Sequence, residues 1–486
     1  MKRIIAPLCA AALLAGCAVG PRYRPAPVVP ESSQIGAVRG DDSIQAFFDS
    51  LSAARAADSA YAPGGPLLPP RQLSPDSLAD LAWLDVLRDT TLIRLERIAL
   101  LQNRDLAVAR ARIEEFRAGV GSARSPLLPN LAVNGSASKN QVVFGNSGAV
   151  TYPAYRLTAD LAWELDFWGG SRRGVQAAQA DLAAQREAER ATVLSLVSAV
   201  ASSYLELLEL DQERAVAEQT LASRKATLDL ARARFRRGLI SELDVRQFEA
   251  QVEQLRSEQE HALDVLLGDG PVQVPRGGSL AGAARAVVVP DSVPAALIAR
   301  RPDVGAAERS YAAATARIGM ADAARLPSFS VVGSYGTQAP TPGTMFNNQN
   351  RVYELLGGIS IPIFSGGRLE SAAQAARAQA EEARARYEQT VLVALSEVRD
   401  ALTGVREARD VAAAQETQAV SLRRALELAE LRYDRGVSNY LEVLDAQRSL
   451  FDAELAASQA ELGQLTAAVR LYKALGGSWP GTGARR

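Results

Sequence analysis

The chain has 486 residues, 48% of them hydrophobic, and its formal net charge of −1 gives no support to nucleic-acid binding through a basic surface. The single histidine, His261, argues against a His-ligated metal site and against His-based acid–base catalysis. One of the two cysteines, Cys9, lies in a segment that we expect to be removed, so the mature chain has no intramolecular disulfide and its fold depends on packing.

The start of the chain has the form of a bacterial lipoprotein signal. A basic start, Met1–Arg3, precedes an apolar run, Ile4–Leu14, which is too short to span a bilayer that needs about 20 residues. Small residues immediately precede Cys17, so we expect residues 1–16 to be removed and Cys17 to be lipidated. An ordinary signal peptide and a chance cysteine are the alternatives. The residue after Cys17 is Ala18 rather than an aspartate that would favour inner-membrane retention, which by resemblance to such lipoproteins points to the outer membrane. No apolar run of about 18 residues follows the signal, so no transmembrane helix is expected.

The rest of the sequence contains one pattern twice, the second copy about 198 positions after the first. Pairs of residues recur at this offset: Asp105 and Asp303, Gly121 and Gly319, Pro129 and Pro327, and Gly135 and Gly333. The triplet Thr-Val-Leu at 192–194 likewise recurs at 390–392. A unit this long exceeds the solenoid repeats of roughly 20–50 residues. We therefore expect two similar halves side by side around a pseudo-symmetry axis.

Each half contains a long, alanine-rich segment with helical periodicity. Apolar residues follow steps of four and three, the a/d pattern of helices packed knobs-into-holes. They are Val193, Val197, Val200, Tyr204 and Leu207 in the first half and Val391, Leu395, Val398, Leu402 and Val405 in the second. No proline occurs in 173–237 or in 369–475, and a helix of about 65 residues reaches roughly 100 Å. Such helices predict a long helical wall rather than one globular domain.

Each half also contains two segments with strand periodicity, near 129–140 and 152–168 in the first and near 327–336 and 351–364 in the second. Odd positions from Tyr155 onward are apolar or aromatic, and even positions are mostly polar or charged. This alternation fits either a soluble half-buried sheet or a transmembrane barrel. The secretion signal, the expected lipid anchor and the aromatic residues favour the barrel. Candidate membrane-interface aromatics are Tyr155, Trp163, Trp168 and Tyr353.

Four strands are too few to close a barrel alone, because the smallest single-chain barrels have about eight and an open edge is not tolerated in lipid. The barrel hypothesis therefore requires several chains. Three chains would supply twelve strands, although spacing alone does not fix the number three.

Turn signals interrupt the helical segments at matching places, Arg236–Ser241 and Asp434–Asn439. Their glycines, Gly238 and Gly436, suit the left-handed residue that ends a helix, and a serine, Ser241 or Ser438, suits the cap of the next one. Both segments are predicted to be helix hairpins, and that structural role alone is sufficient to explain them.

Several motifs follow one another in a specific order. They are Leu297-Ile298-Ala299-Arg300-Arg301-Pro302-Asp303-Val304, Ile318-Gly319, Leu326-Pro327, Pro362–Arg368 and Leu471–Trp479. Together they resemble the outer membrane factor family of the TolC/OprM type, and Cys17–Tyr23 resembles its NodT-like lipoprotein branch. The resemblance extends from the signal peptide to Trp479, but residues 31–75 fit it poorly.

The resemblance implies a mainly α-helical, internally duplicated protomer with a small transmembrane β part. Three such protomers would share a twelve-stranded β-barrel in the Gram-negative outer membrane and an α-helical barrel across the periplasm. It implies a lipid-anchored, passive exit duct without cofactor or metal, not an enzyme, that binds a periplasmic adaptor and an inner-membrane pump of the RND type. Its cargo would be drugs or other small toxic compounds. A type I protein-secretion duct, a structural periplasmic coiled-coil lipoprotein and a secreted enzyme are the alternatives, and the sequence has no catalytic constellation for the last.

The resemblance also implies roles for residues near the helix tips. Expected adaptor contacts are Arg237, Gly238, Leu239, Ser241, Arg435, Gly436, Val437 and Ser438. The expected gate and acidic rings are Asp244, Tyr433, Glu442 and Asp445, because threefold symmetry turns each lumenal carboxylate into a ring that favours cations. Alternatively, these carboxylates are solvated or paired with Arg432 and Arg435. Ser438 stands where some relatives have an arginine, which puts a gate salt bridge there in doubt.

The predicted organisation has six parts. They are a signal peptide at 1–16, a lipidated and equatorial segment at 17–90, a first repeat at 91–267, an equatorial connector at 268–294, a second repeat at 295–475 and a tail at 476–486. The connector and both chain ends are expected to form a belt around the helical barrel.

Overall fold

The computed structural model describes residues 19–21, 23, 34–36, 89–143, 149–235, 274–286, 292–435, 437–438 and 440–477. The helices are α1 (Thr90–Gln102), α2 (Arg104–Arg124), α3 (Gly170–Phe235), α4 (Leu280–Ala286), α5 (Pro302–Ala323), α6 (Arg368–Asp434) and α7 (Tyr440–Ala474). The strands are β1 (Gln34–Gly36), β2 (Asn130–Val143), β3 (Ala149–Leu165), β4 (Ser292–Pro294), β5 (Ser328–Ala339) and β6 (Arg351–Ser360). Short 3-10 turns lie at Ser125–Leu127, Ala295–Arg300, Pro342–Thr344 and Asn348–Asn350.

The same elements occur in the same order in both halves. The elements α2, β2 and α3 begin at residues 104, 130 and 170, and their counterparts α5, β5 and α6 begin at 302, 328 and 368, each 198 residues later. The duplication predicted from the sequence is therefore also a duplication of structure. The mainly helical fold class with a small β part is confirmed.

The apolar seams of α3 and α6 form the centres of two cores. Nine of the ten predicted seam residues are buried, and Val193 is half-buried. The first core also includes Leu92 and Leu95 of α1, whereas the second includes Ile298 and Val304. Helix α7 contributes residues to both cores, so it joins the two repeats. Each fully buried Val or Leu contributes roughly 1.5–3 kcal/mol, which makes these seams the main stabilising feature of the helical part.

One described helix segment, Gly170–Thr220, is long and apolar enough by length and composition to cross a membrane. More than half of its most apolar window is buried within the protein. It packs against α1, α2, α5 and α7. Its apolarity is therefore explained by its place in the core.

The sheet combines one antiparallel hairpin from each half. Its strand order is β2-β3-β5-β6, and β3 pairs with β5 across the boundary between the repeats. Strands β2 and β6 lie at the two edges of this sheet. Strands β1 and β4 form a separate two-stranded pair.

A buried arginine joins the start of α5, the middle of α6 and the end of α7 in the second half. Arg301 donates hydrogen bonds to Asp303 (2.7 Å), to Glu397 of α6 (2.6 Å) and to the carbonyl oxygen of Ala474 at the end of α7 (2.8 Å). Burial alone would raise the pKa of Asp303, but the hydrogen bonds and charge of Arg301 hold it below its usual range. The Arg-Arg-Pro-Asp motif is therefore a structural clamp.

Candidate functional site

One face of the four-stranded sheet is apolar across all four strands. In an antiparallel sheet, residues directly opposite each other point to the same face. Val133 of β2 lies opposite Ala159 of β3, Ala159 lies opposite Tyr335 of β5, and Tyr335 lies opposite Tyr353 of β6. Large apolar side chains that are more than half exposed on this face are Leu131, Val133, Tyr335, Tyr353, Leu355 and Ile359. An exposed apolar surface of this extent marks a contact with lipid or protein.

The opposite face carries the polar residues of the same strands. Asp160, Ser334 and Glu354 lie opposite one another in one row across β3, β5 and β6. Asn134 and Thr158 donate hydrogen bonds to the Asp160 carboxylate at 2.6 and 3.2 Å. This face also carries Val332 and Leu356 nearer the helical end. The sheet thus has the two unlike faces of a wall between an apolar and an aqueous medium.

Aromatic residues mark a span of suitable height on the apolar face. Trp163 lies eight positions after Tyr155 in β3, which is about 27 Å along the strand and about 20 Å along the membrane normal for strands tilted by about 40°. Trp163 and Tyr155 are half-buried, and Tyr353 is 84% exposed. The span is close to the outward apolar band of about 25 Å in outer-membrane barrels.

The two tryptophans lie where the sheet meets the helices. The indole N–H of Trp163 donates to the Leu127 carbonyl oxygen (3.2 Å), and that of Trp168 donates to the Pro327 carbonyl oxygen (2.6 Å). Phe167 and Phe329 pack edge to face at 4.8 Å between ring centroids. The Trp168 and Phe167 contacts tie the first repeat to the second at the base of the sheet. An apolar ring with a satisfied N–H is the arrangement favoured at a membrane interface.

The junction between β3 and α3 depends on a carboxylate that sequence reasoning missed. The side chain of Asp166 accepts hydrogen bonds from the backbone N–H groups of Ser171 (3.2 Å) and Arg172 (2.9 Å) and pairs with the Arg172 guanidinium. It thereby satisfies free N–H groups at the start of α3. An aspartate four residues before a predicted helix was the available signal.

The N-terminal segment, defined here as Val19–Pro21 and Tyr23, binds this same junction. The N–H of Val19 donates to the Trp168 carbonyl oxygen (2.9 Å), and Arg173 donates to the carbonyl oxygens of Val19 (3.4 Å) and Gly20 (3.2 Å). The Tyr23 hydroxyl donates to Glu308 at 3.0 Å, and burial together with that carboxylate raises the pKa of Tyr23. The start of the described chain is therefore fixed at the base of the sheet.

Two glycines allow this close approach. Gly20 has φ of +101°, and a Cβ on it would lie 2.3 Å from the Cα of Gly319. The sequence repeat showed that Gly319 recurs. It gave no signal of the contact with Gly20, which lies about 300 positions earlier in the chain. Arg173, 4% exposed, was missed for the same reason.

The second helix tip lies between α6 and α7. The N–H of Val437 donates to the Arg432 carbonyl oxygen at 2.9 Å, the 6→1 bond of a Schellman helix end, which favours glycine at position 436. Val437 is 68% exposed and Arg435 is exposed. The predicted capping role of Ser438 is wrong, because α7 begins only at Tyr440. Among the described residues, the Ser438 hydroxyl has no hydrogen-bond partner.

The gate candidates of this tip differ in environment. Tyr433 is 7% exposed. The Glu442 carboxylate lies 3.7 Å from the Arg432 guanidinium, which agrees with the alternative of pairing considered for it. Asp445 is exposed. Within the described part of the chain, no group of three or more His, Cys, Asp or Glu residues is placed to hold a metal ion.

Several predicted site residues lie outside the described residues. They are Cys17, Arg237, Gly238, Leu239, Ser241, Asp244 and Gly436. Their assignments stay predictions.

Comparison with known proteins identifies close similarity along nearly the whole chain. A family model for outer membrane efflux proteins matches residues 95–266 and 293–477. The chain is 33% identical over 421 residues to the pyoverdine export outer membrane protein OpmQ of Pseudomonas putida, covering 83% of this chain and 89% of that protein. It is 34% identical over 409 residues to the solvent efflux pump outer membrane protein SrpC of Pseudomonas putida, covering 81% and 86%. The solved open state of the MtrE outer membrane channel of Neisseria gonorrhoeae matches with a TM-score of 0.77 and 26% identity, covering 95% of this chain and 98% of that one.

Proposed function

The chain belongs to the outer membrane efflux protein family, and we propose that three copies of it assemble into the channel through which an efflux system expels small toxic compounds. Its fold is that of an outer membrane channel subunit, and it is not an enzyme.

The observation that carries this function is the sheet with one apolar face and two edges, β2 and β6, each of which pairs with only one other strand among the described residues. The apolar face suits lipid, and the row of Asp160, Ser334 and Glu354 suits a water-filled lumen. Strand edges are not tolerated in lipid, so β2 of one copy must pair with β6 of another. Since each copy supplies four strands, three copies give twelve, a size within the known range of barrels.

The alternatives explain the structure less well. A coiled-coil spacer does not need a four-stranded sheet with a lipid-type face. A protein-secretion duct would have the same fold, but the relatives named above export pyoverdine and solvents. Small molecules are therefore the cargo class that we infer.

The partners that we infer are a periplasmic adaptor and an inner-membrane pump of the RND type. The exposed Arg435 and Val437 at the second tip offer a charged and an apolar group for adaptor contact. The matching tip of the first repeat, with Arg237, Gly238, Leu239 and Ser241, is proposed for the same contact.

Lipid anchoring through Cys17 is supported by the fixed N-terminal segment. Cys17 precedes Val19 by two positions in the sequence. Val19 is bonded to the Trp168 carbonyl oxygen. The described N-terminal segment thus lies at the level of the tryptophans, which suits an outer-membrane anchor shortly before it in the sequence.

Asp445 and Asp244 are proposed as the acidic rings of the pore, and Tyr433 as a contact that holds the closed tip. Asp445 is exposed and therefore free to face a lumen. The pairing of Glu442 with Arg432 reduces the charge that Glu442 offers to ions.

The test is single-channel recording of the purified full-length protein in planar lipid bilayers, with its mass in detergent measured by sedimentation. We expect discrete conductance steps from particles of three chains. A monomeric particle without conductance would contradict the proposed channel.

A further inference from the structure

Helices α3 and α7 meet at a seam that contains a buried, incompletely bonded carboxyl group. Glu209 of α3 is 5% exposed, and its Oε1 atom has no hydrogen-bond partner among the described residues. Ser458 of α7 is fully buried on the other side of this seam. Leaving a buried polar group unpaired costs about 1–3 kcal/mol, and more when it is charged.

The polar residues around this seam are predominantly acidic. Glu206 and Glu213 lie three and four residues from Glu209 on α3, on the same helix face. Across the seam, Glu461 of α7 accepts a hydrogen bond from Gln212 (3.1 Å), and Gln459 donates one to Glu213 (3.1 Å).

Two further charged groups among the described residues belong to segments that lie against α3. Helix α1 contributes Glu96, which is 1% exposed and unpartnered among the described residues. The guanidinium of Arg276 is paired with Asp211 at 2.7 Å. Burial first, and then the neighbouring Glu213 and Glu206, raise the pKa of Glu209 to about 8, against a smaller opposing effect of Ser458.

We propose that Glu209 is a proton-controlled latch that holds α7 against α3 while it is neutral and loosens this seam when it ionises. Helix α7 leads directly into the second tip, which carries Tyr433, Glu442 and Asp445. Loosening the seam therefore favours movement of the α6–α7 hairpin and opening at its tip. This last consequence rests on the proposed channel function, whereas the latch itself does not.

The direction with pH follows from linkage. The folded-state pKa of Glu209 lies above that of an exposed glutamate, so the closed seam binds more protons than an opened one. The seam is most stable below about pH 4.5 and loses stability as pH rises towards about 8, with no further loss above that. The opening equilibrium changes by at most about tenfold per pH unit in this window.

The test compares backbone hydrogen exchange of α7 near Ser458 in the full-length wild-type protein and in Glu209→Gln. Comparison at the same pH cancels the intrinsic pH dependence of exchange. We expect the wild-type to exchange faster than E209Q by a factor that grows from pH 5 to 8, up to about tenfold per unit, and then levels off. A ratio that is constant over this range would overturn the proposal.

Two further variants keep the test specific. Glu218→Gln removes an exposed carboxylate of α3, which pairs with Arg214 at 2.8 Å. The ratio of the wild-type exchange rate to the rate in this variant must stay constant over the pH range. Glu213→Gln removes the negative charge nearest to Glu209, so the pH at which the exchange rate stops rising must be lower than in wild-type. This comparison uses exchange rates of wild-type and Glu213→Gln divided by the intrinsic amide rates, so it does not need E209Q, and an unchanged levelling point would contradict the latch. The exchange readout needs no transport, so its failure would leave the channel function standing.

Discussion

The face assignment of the sheet predicts opposite outcomes for two alanine-to-arginine substitutions. Ala159 lies on the apolar face of β3, between Val133 and Tyr335. It is four residues from Trp163 and four from Tyr155, or about 14 Å along the strand from each. It therefore lies near the middle of the apolar band. Its control, Ala132, lies directly opposite Asp160 on the polar face at almost the same depth.

The expected cost follows from the depth of each site. An arginine at the midplane of a barrel's lipid face costs about 2–4 kcal/mol, so Ala159→Arg costs about 6–12 kcal/mol in a particle with three copies. Ala132→Arg points into water beside a carboxylate and changes stability by about 0–1 kcal/mol. The loss of stability in Ala159→Arg is thus large enough to remove most assembled particles. The change in Ala132→Arg is too small to be seen in the assembled fraction.

The assay is assembly into lipid vesicles from urea, followed by electrophoresis without heating and by a urea titration of the assembled fraction. We expect A159R to assemble poorly and A132R to resemble wild-type. Equal losses in both variants, or a larger loss in A132R, would refute the assignment of the apolar face to lipid.

Three further predictions concern the clamp, the anchor and the pore. Arg301→Ala should lower the free energy of unfolding by about 2–3 kcal/mol in chemical denaturation, because it leaves Asp303 and Glu397 unpaired but half-exposed. The lowered pKa of Asp303 gives stability that is present above about pH 4 and lost below it. The difference in free energy of unfolding between wild-type and Arg301→Ala should therefore shrink in acid. A difference that stays constant with pH contradicts the pairing. Cys17→Ala should abolish labelling by radioactive palmitate, and retained labelling would show that another residue is acylated. Asp445→Asn should move the reversal potential in a salt gradient towards zero, and an unchanged value would mean that Asp445 does not line the pore.

Periodicity was sufficient to predict the long-range order of this fold. The a/d seams of α3 and α6 became buried cores because steps of four and three residues place apolar groups on one helical face. The alternation from Tyr155 onward became the apolar face of β3 because side chains of a strand alternate between its faces. The recurrence at 198 positions became matching starts of α2 and α5, of β2 and β5, and of α3 and α6.

Contacts between distant segments were beyond sequence reasoning. Nothing near Arg173 indicates that it binds the carbonyl oxygens of Val19 and Gly20, more than 150 residues earlier. Glu209 is buried in the structure, although the helix sequence around it gives no signal of that burial. The local turn pattern gave a wrong prediction for Ser438, which does not cap α7 because that helix begins two residues later.

The central claim, that three copies close the sheet through its edges, is tested most directly by cross-linking cysteines placed on the two edge strands. The mature wild-type chain has only Cys17, which is expected to be acylated, so Ser136→Cys on β2 and Val352→Cys on β6 give a clean background. A bismaleimide of about 10 Å spans neighbouring strands, which lie about 4.8 Å apart, whereas Ser136→Cys alone is separated from its copies by four strands and serves as the control. We expect the double variant to give a ladder that ends at three chains, with no product from the single variant. A ladder that continues beyond three chains, or products only within one chain, would contradict the closed trimer.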